Sequence, residues 1–121
     1  MQLERIYKLQ KRCARLVQGA GKREPTLPLL KKLNWLTVNN KIEYNKGTLV
    51  YKSLHGLAPT YISEYFTATS DVHRHGTRSS SNGGLTISTL STTDIAKTFR
   101  HSGGVLWNSM PVHIRKSPSL F

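Results

Sequence analysis

Carboxylates are scarce in this chain: two Asp and four Glu stand among 121 residues, against 18 Lys and Arg. That scarcity excludes chemistry built on clustered acids, such as two-metal phosphoryl transfer. Asp71 and Asp94 are far apart, and no Asp-Asp pair occurs. A Gly-rich phosphate loop and a His/Glu metal motif are also missing. Cysteine is nearly absent: Cys13 stands alone, which rules out an internal disulfide and a Cys-rich zinc knuckle. No apolar run approaches the ~18 residues of a membrane span. The cationic, amphipathic N-terminus lacks the continuous apolar segment of a signal peptide. No membrane span is therefore expected, and a cytoplasmic or nuclear location is the default. Catalysis by this chain alone is not expected, nor is a cofactor.

What is abundant is positive charge. The formal net charge is +12 at pH 7. Such an excess repels itself in a compact chain and is relieved by a polyanion or an acidic partner. DNA, RNA and an anionic membrane surface all meet that description.

Apolar spacing outlines a set of short helices. Residues 2–18 repeat at spacings of three and four through Leu3, Ile6, Leu9 or Gln10, Cys13, Leu16 and Val17, so one face is apolar. Gly19 and Gly21 then stop the helix. Thr26 reads as an N-cap with Pro28 in the first turn, opening a short helix that ends near Trp35. Thr37 reads as the N-cap of a third helix over 38–55, which Gly47 interrupts at a cost of about 1 kcal/mol relative to Ala. Pro59 to Phe66 forms a fourth. Residues 67–84 are rich in Ser, Thr, Gly, Arg and His and poor in large apolar side chains, which predicts a mobile linker. Leu85, Ile87 and Leu90 allow a short extended segment without an evident partner strand. Residues 95–110 form a weaker helix in which Gly103-Gly104 marks a break or a close packing contact. The expected fold is mainly α, a small bundle of four to five short helices with a disordered Ser/Thr/Gly/Arg-rich middle. Its parts are a helical domain over 1–66, the linker 67–84, and a C-terminal segment 85–121 around Trp107.

Arg5, Lys8, Lys11, Arg12 and Arg15 on the first helix carry the sharpest functional signal. Five cations in eleven residues can neutralise several phosphates, each adding salt-dependent affinity by counterion release. The plainer reading is a solvated surface helix. A cationic amphipathic helix can also lie on a membrane, although this one has no Trp or Phe on its apolar face. His73 and His75 sit in the linker, and His55, His101 and His113 are scattered, so loop histidines are favoured over a metal site. Ser79-Ser80-Ser81 and Thr92-Thr93-Asp94 lack a positioned base for nucleophilic chemistry. Trp35 and Trp107 could stack on bases, but large aromatics beside leucine are more often core anchors.

Four segments in order resemble a known family. They are residues 9–17 (LQKRCARLV), 29–38 (LLKKLNWLTV), 49–59 (LVYKSLHGLAP) and 106–115 (LWNSMPVHIR). Together they resemble the region after the polymerase domain in non-LTR, LINE-type retrotransposon reverse transcriptases of the jockey kind. The resemblance implies a parent with endonuclease and RNA-directed DNA polymerase activities, the latter carrying a Tyr-x-Asp-Asp-like box. No residue here matches that box, so no catalytic role carries over. In such proteins this region is thought to help hold template RNA or target DNA, and some relatives carry a zinc knuckle that this chain lacks. Asn45-Lys46-Gly47-Thr48 departs from a more apolar family pattern, which also continues past Ser119-Leu120-Phe121 into a further basic helix. The resemblance thus implies a fragment. Its partners would be RNA or DNA and the missing polymerase domain of its parent. The alternative is a structural remnant without activity of its own.

Overall fold

The computed structural model describes residues 2–72, 74–87 and 98–119. The chain is mainly helical, as expected, with four helices of seven residues or more and no strand among the described residues. It divides into two compact units, residues 1–43 and 44–121. That division falls inside the third helix, whereas composition marks boundaries at 66/67 and 84/85. Composition registers where apolar residues thin out, while compactness registers what touches across the chain.

The first unit holds α1 (Gln2–Gln18), α2 (Thr26–Lys32) and residues 38–43 of α3 (Val38–Leu54). Its core is small: Ala14, Leu29 and Leu30 are buried, with Ala20 and Leu33 packed against them. Burying each leucine contributes about 1.5–3 kcal/mol. The helix ends share one device. Gly19 takes φ 62°, and the Ala20 and Gly19 amides donate to the carbonyls of Arg15 and Leu16. This six-to-one and five-to-two pattern satisfies carbonyls that have no partner inside the helix. Asn34 repeats it with φ 54°, the Trp35 and Asn34 amides donating to Leu30 and Lys31. At the far end of α3, Gly56 with φ 69° lets the Leu57 amide reach the Lys52 carbonyl.

Two helix starts come out differently. Thr37 caps α3 as expected, its hydroxyl oxygen accepting from the Asn40 amide at 3.3 Å. Thr26 does not cap α2. Pro25 holds the extended N-cap position, and Thr26 is already helical. The Thr26 hydroxyl accepts instead from the Arg15 guanidinium at 3.3 Å.

The second unit packs the rest of α3 against α7 (Phe99–Ser109). In sequence between them lie α4 (Thr60–Ser63), α5 (Thr69–Val72) and α6 (Arg78–Ser81), and α8 (Val112–Arg115) follows α7. Val50, Tyr51, Leu85 and Trp107 are buried together, ringed by Leu54, Phe66, Phe99 and Met110. The Phe66 and Phe99 rings meet edge to face at 5.6 Å, a favoured aromatic geometry. Gly103-Gly104 lies in an unbroken helix, so of the two readings the close contact holds. A Cβ at Gly103 would stand 3.1 Å from Val50 Cγ2 and 3.3 Å from the Phe66 ring. Gly47 likewise leaves α3 unbroken, with the Met110 methyl lying over it.

The extended segment at Leu85 finds a partner that its sequence did not reveal. It forms an isolated antiparallel bridge with Ala68. The Thr69 amide donates to the Gly84 carbonyl and the Thr86 amide to the Thr67 carbonyl. On its other side, Asn108 grips Leu85 in both directions. The Leu85 amide donates to Asn108 Oδ1 at 2.8 Å, and Asn108 Nδ2 donates to the Leu85 carbonyl at 2.9 Å. Trp107 Nε1 donates to the Gly83 carbonyl at 3.0 Å. The expected linker 67–84 is therefore tied at both ends, with irregular backbone over 74–77. Backbone pairing holds those ends together with the burial of Thr69 and Leu85. Leu90 and the start of the helix expected over 95–110 fall outside the described residues.

Candidate nucleic-acid interface

α1 builds the candidate surface. Residues on a helix are set about 100° apart. Lys11, Arg15, Lys8, Arg12 and Arg5, in that angular order, therefore share an arc of about 120°. Arg5, Lys8, Lys11 and Arg12 are exposed. Among the described residues none of these four is held in an ion pair. From Arg5 to Arg12 the helix rises about 10 Å, roughly three phosphate spacings, which join about four phosphates of one duplex strand.

Arg15 behaves differently. It is half-buried, and its Nη2 donates to the Glu24 carbonyl and to Thr26 Oγ1, at 3.2 and 3.3 Å. Arg15 therefore fastens α1 to the start of α2. The structure groups four of the five predicted cations as a free surface and gives the fifth a structural task.

Tyr7 is the residue that sequence reasoning missed. It lines an open groove of about 720 Å³ together with Gln10, Lys11, Leu27, Pro28 and Asn39. Tyr7 and Lys11 also line a shallow depression beside Glu4 and Lys8. The two depressions therefore run into one another along α1. An aromatic ring among cations offers a base a stacking face worth about 1–3 kcal/mol, next to charges for its phosphates. The signal was present in Tyr7-Lys8 and in the four-residue step from Tyr7 to Lys11, which places both on one side of a helix.

The tryptophans divide. Trp107 is 3% exposed and is the core anchor expected of it, whereas Trp35 is 40% exposed and anchors no core cluster. The left-handed turn at Asn34 directly precedes Trp35. Among the described residues no group of three or more His, Cys, Asp or Glu assembles as a metal site would. His73 and Thr92-Thr93-Asp94 lie outside those residues. Among the described residues no helix is long and apolar enough to cross a membrane. No family model, curated protein or solved structure matches the chain.

Proposed function

We propose that this chain is a non-catalytic accessory region that binds nucleic acid, of the kind that follows the polymerase in a LINE-type reverse transcriptase. The observation that carries the reading is the arc of Arg5, Lys8, Lys11 and Arg12, four exposed cations on one helix without ion pairs among the described residues. The ordered resemblance of four segments supplies the parent, and RNA or DNA is the partner.

Titration against single-stranded RNA and duplex DNA at several salt concentrations tests it. Four neutralised phosphates predict a slope of about −3.6 in log K against log salt for duplex, and about −2.8 for a single strand. Between 50 and 200 mM salt the duplex affinity then falls on the order of a hundredfold. Removing one cation, as in Arg12→Gln, lowers the duplex slope by about 0.9. Tyr7→Ala weakens the single strand more than the duplex. Binding without salt dependence, or none at low salt, refutes the proposal.

A second reading is a structural remnant that once packed against its polymerase domain. The uncovered apolar residues of α1 favour it, with Leu16 84% exposed. A chain of that kind would lack a cooperative thermal transition.

A further inference from the structure

α1 has a second exposed surface, an apolar seam that phosphate binding leaves unused and that shares with the cationic arc its flanking Arg5 and Arg12. Ile6, Leu9, Cys13 and Leu16 follow one another at steps of three, four and three residues. Those steps are the spacing of alternating core positions in a two-helix seam. All four residues are exposed, Ile6 at 48%, Leu9 at 57% and Leu16 at 84%. The seam is distinct from the side that packs within the first unit, where Ala14 is fully buried and Tyr7 and Gln10 are half-buried. Arg5 directly precedes Ile6, and Arg12 directly precedes Cys13. One flank of the seam is therefore cationic, while Gln10 and Val17 line the other.

We propose that this seam is a docking surface for an amphipathic helix of another protein, apolar at its core positions and acidic at the positions flanking them. The inference goes beyond nucleic-acid binding and does not depend on it. Charge selects the occupant, because a carboxylate opposite Arg5 and Arg12 meets cations that have no partner among the described residues. A second copy fits poorly. Antiparallel pairing sets Arg5 against Arg12, parallel pairing offers Gln10 and Val17 in place of acids, and each copy carries +12. A bilayer also fits poorly. The seam is a narrow stripe and has no aromatic residue to sit at the headgroups. Nucleic acid gains nothing from burying Ile6, Leu9 and Leu16, which the phosphate contacts of the neighbouring arc do not need.

The probe is a synthetic helical peptide of about three heptads with Leu at its core positions and Glu at both flanking positions. Its binding to the full chain is followed by fluorescence anisotropy, with a Lys-flanked twin as control. The Glu-flanked peptide should bind at least about tenfold tighter than its twin. Leu9→Gln combined with Leu16→Gln should abolish that binding. These residues are exposed, so helix content is retained, and every cation remains, so RNA affinity is unchanged. Arg5→Glu combined with Arg12→Glu should transfer the preference to the Lys-flanked peptide. Equal binding of the two peptides overturns the proposal. So does a dimer of the chain alone that the two glutamine changes dissolve. Capture by phosphatidylserine vesicles through Leu9 and Leu16, with no peptide preference, overturns it as well.

Discussion

The two units divide charge and packing unequally. Residues 1–43 carry ten Lys and Arg against three Glu, while residues 44–121, almost twice as many, carry eight against three acids. The first unit buries one alanine and two leucines, whereas the second buries Val50, Tyr51, Leu85 and Trp107 behind aromatic neighbours. The surface suited to partners thus stands on the thinner core. A cationic helix with two exposed faces has little left to bury. Its hold on its neighbours comes from Ala14, the bonds of Arg15, the Gln10 amide donating to the Leu36 carbonyl, and the left-handed stops at Gly19 and Asn34. The second unit is built in the opposite way, with its polar side chains turned inward to hold backbone.

Substitutions can break that contrast. The largest effect is expected from Trp107→Ala, which empties an aromatic site and orphans the Gly83 carbonyl. It should cost about 3–5 kcal/mol in chemical denaturation, while Trp35→Ala stays within about 1 kcal/mol because Trp35 is 40% exposed and belongs to no core cluster. If the two tryptophans cost the same, the units are not packed differently. Gly103→Val comes next. Its Cβ alone would stand 3.1 Å from Val50 and 3.3 Å from the Phe66 ring, and a loss of about 1–3 kcal/mol is expected from overpacking. Asn108→Ala leaves the Leu85 amide and carbonyl without their partner. It should lower stability by about 1–3 kcal/mol while preserving far-ultraviolet helix signal. Asn34→Gly works in the other direction and on the other unit. Glycine relieves the left-handed backbone at φ 54°, so a gain of up to about 1 kcal/mol should appear as a higher melting temperature. A loss there would show that the Asn34 side chain has a task of its own.

Local patterns were legible from the residues alone. The first helix was expected over 2–18 and the third over 38–55, and they span Gln2–Gln18 and Val38–Leu54. Glycine after a helix and the Thr37 cap were equally readable, because each acts within a few residues. Asn34 was not read as a stop, since Asn visits the left-handed region less often than Gly and leaves a weaker mark. Contacts across the chain escaped altogether. Nothing near Arg15 indicates that it reaches Thr26 rather than solvent, and nothing near Asn108 indicates Leu85. Apolar periodicity identified α1 as amphipathic, but periodicity does not say what an apolar face meets. α1 packs instead through the side that carries Ala14, and Leu3, Ile6, Leu9, Cys13, Leu16 and Val17 are all exposed.

The grip of Asn108 on Leu85 also orders events in time. The two residues are 23 apart, and Trp107 reaches 24 residues back to Gly83. These bonds join groups that must first close a long loop, a step that local helix formation does not require. α3 and α7 can each nucleate within their own turns, but the Leu85 amide gains its acceptor after α7 has docked. Its exchange with deuterium is then a clock for that docking. In Asn108→Ala the amide should exchange early, while neighbouring helix amides keep their protection.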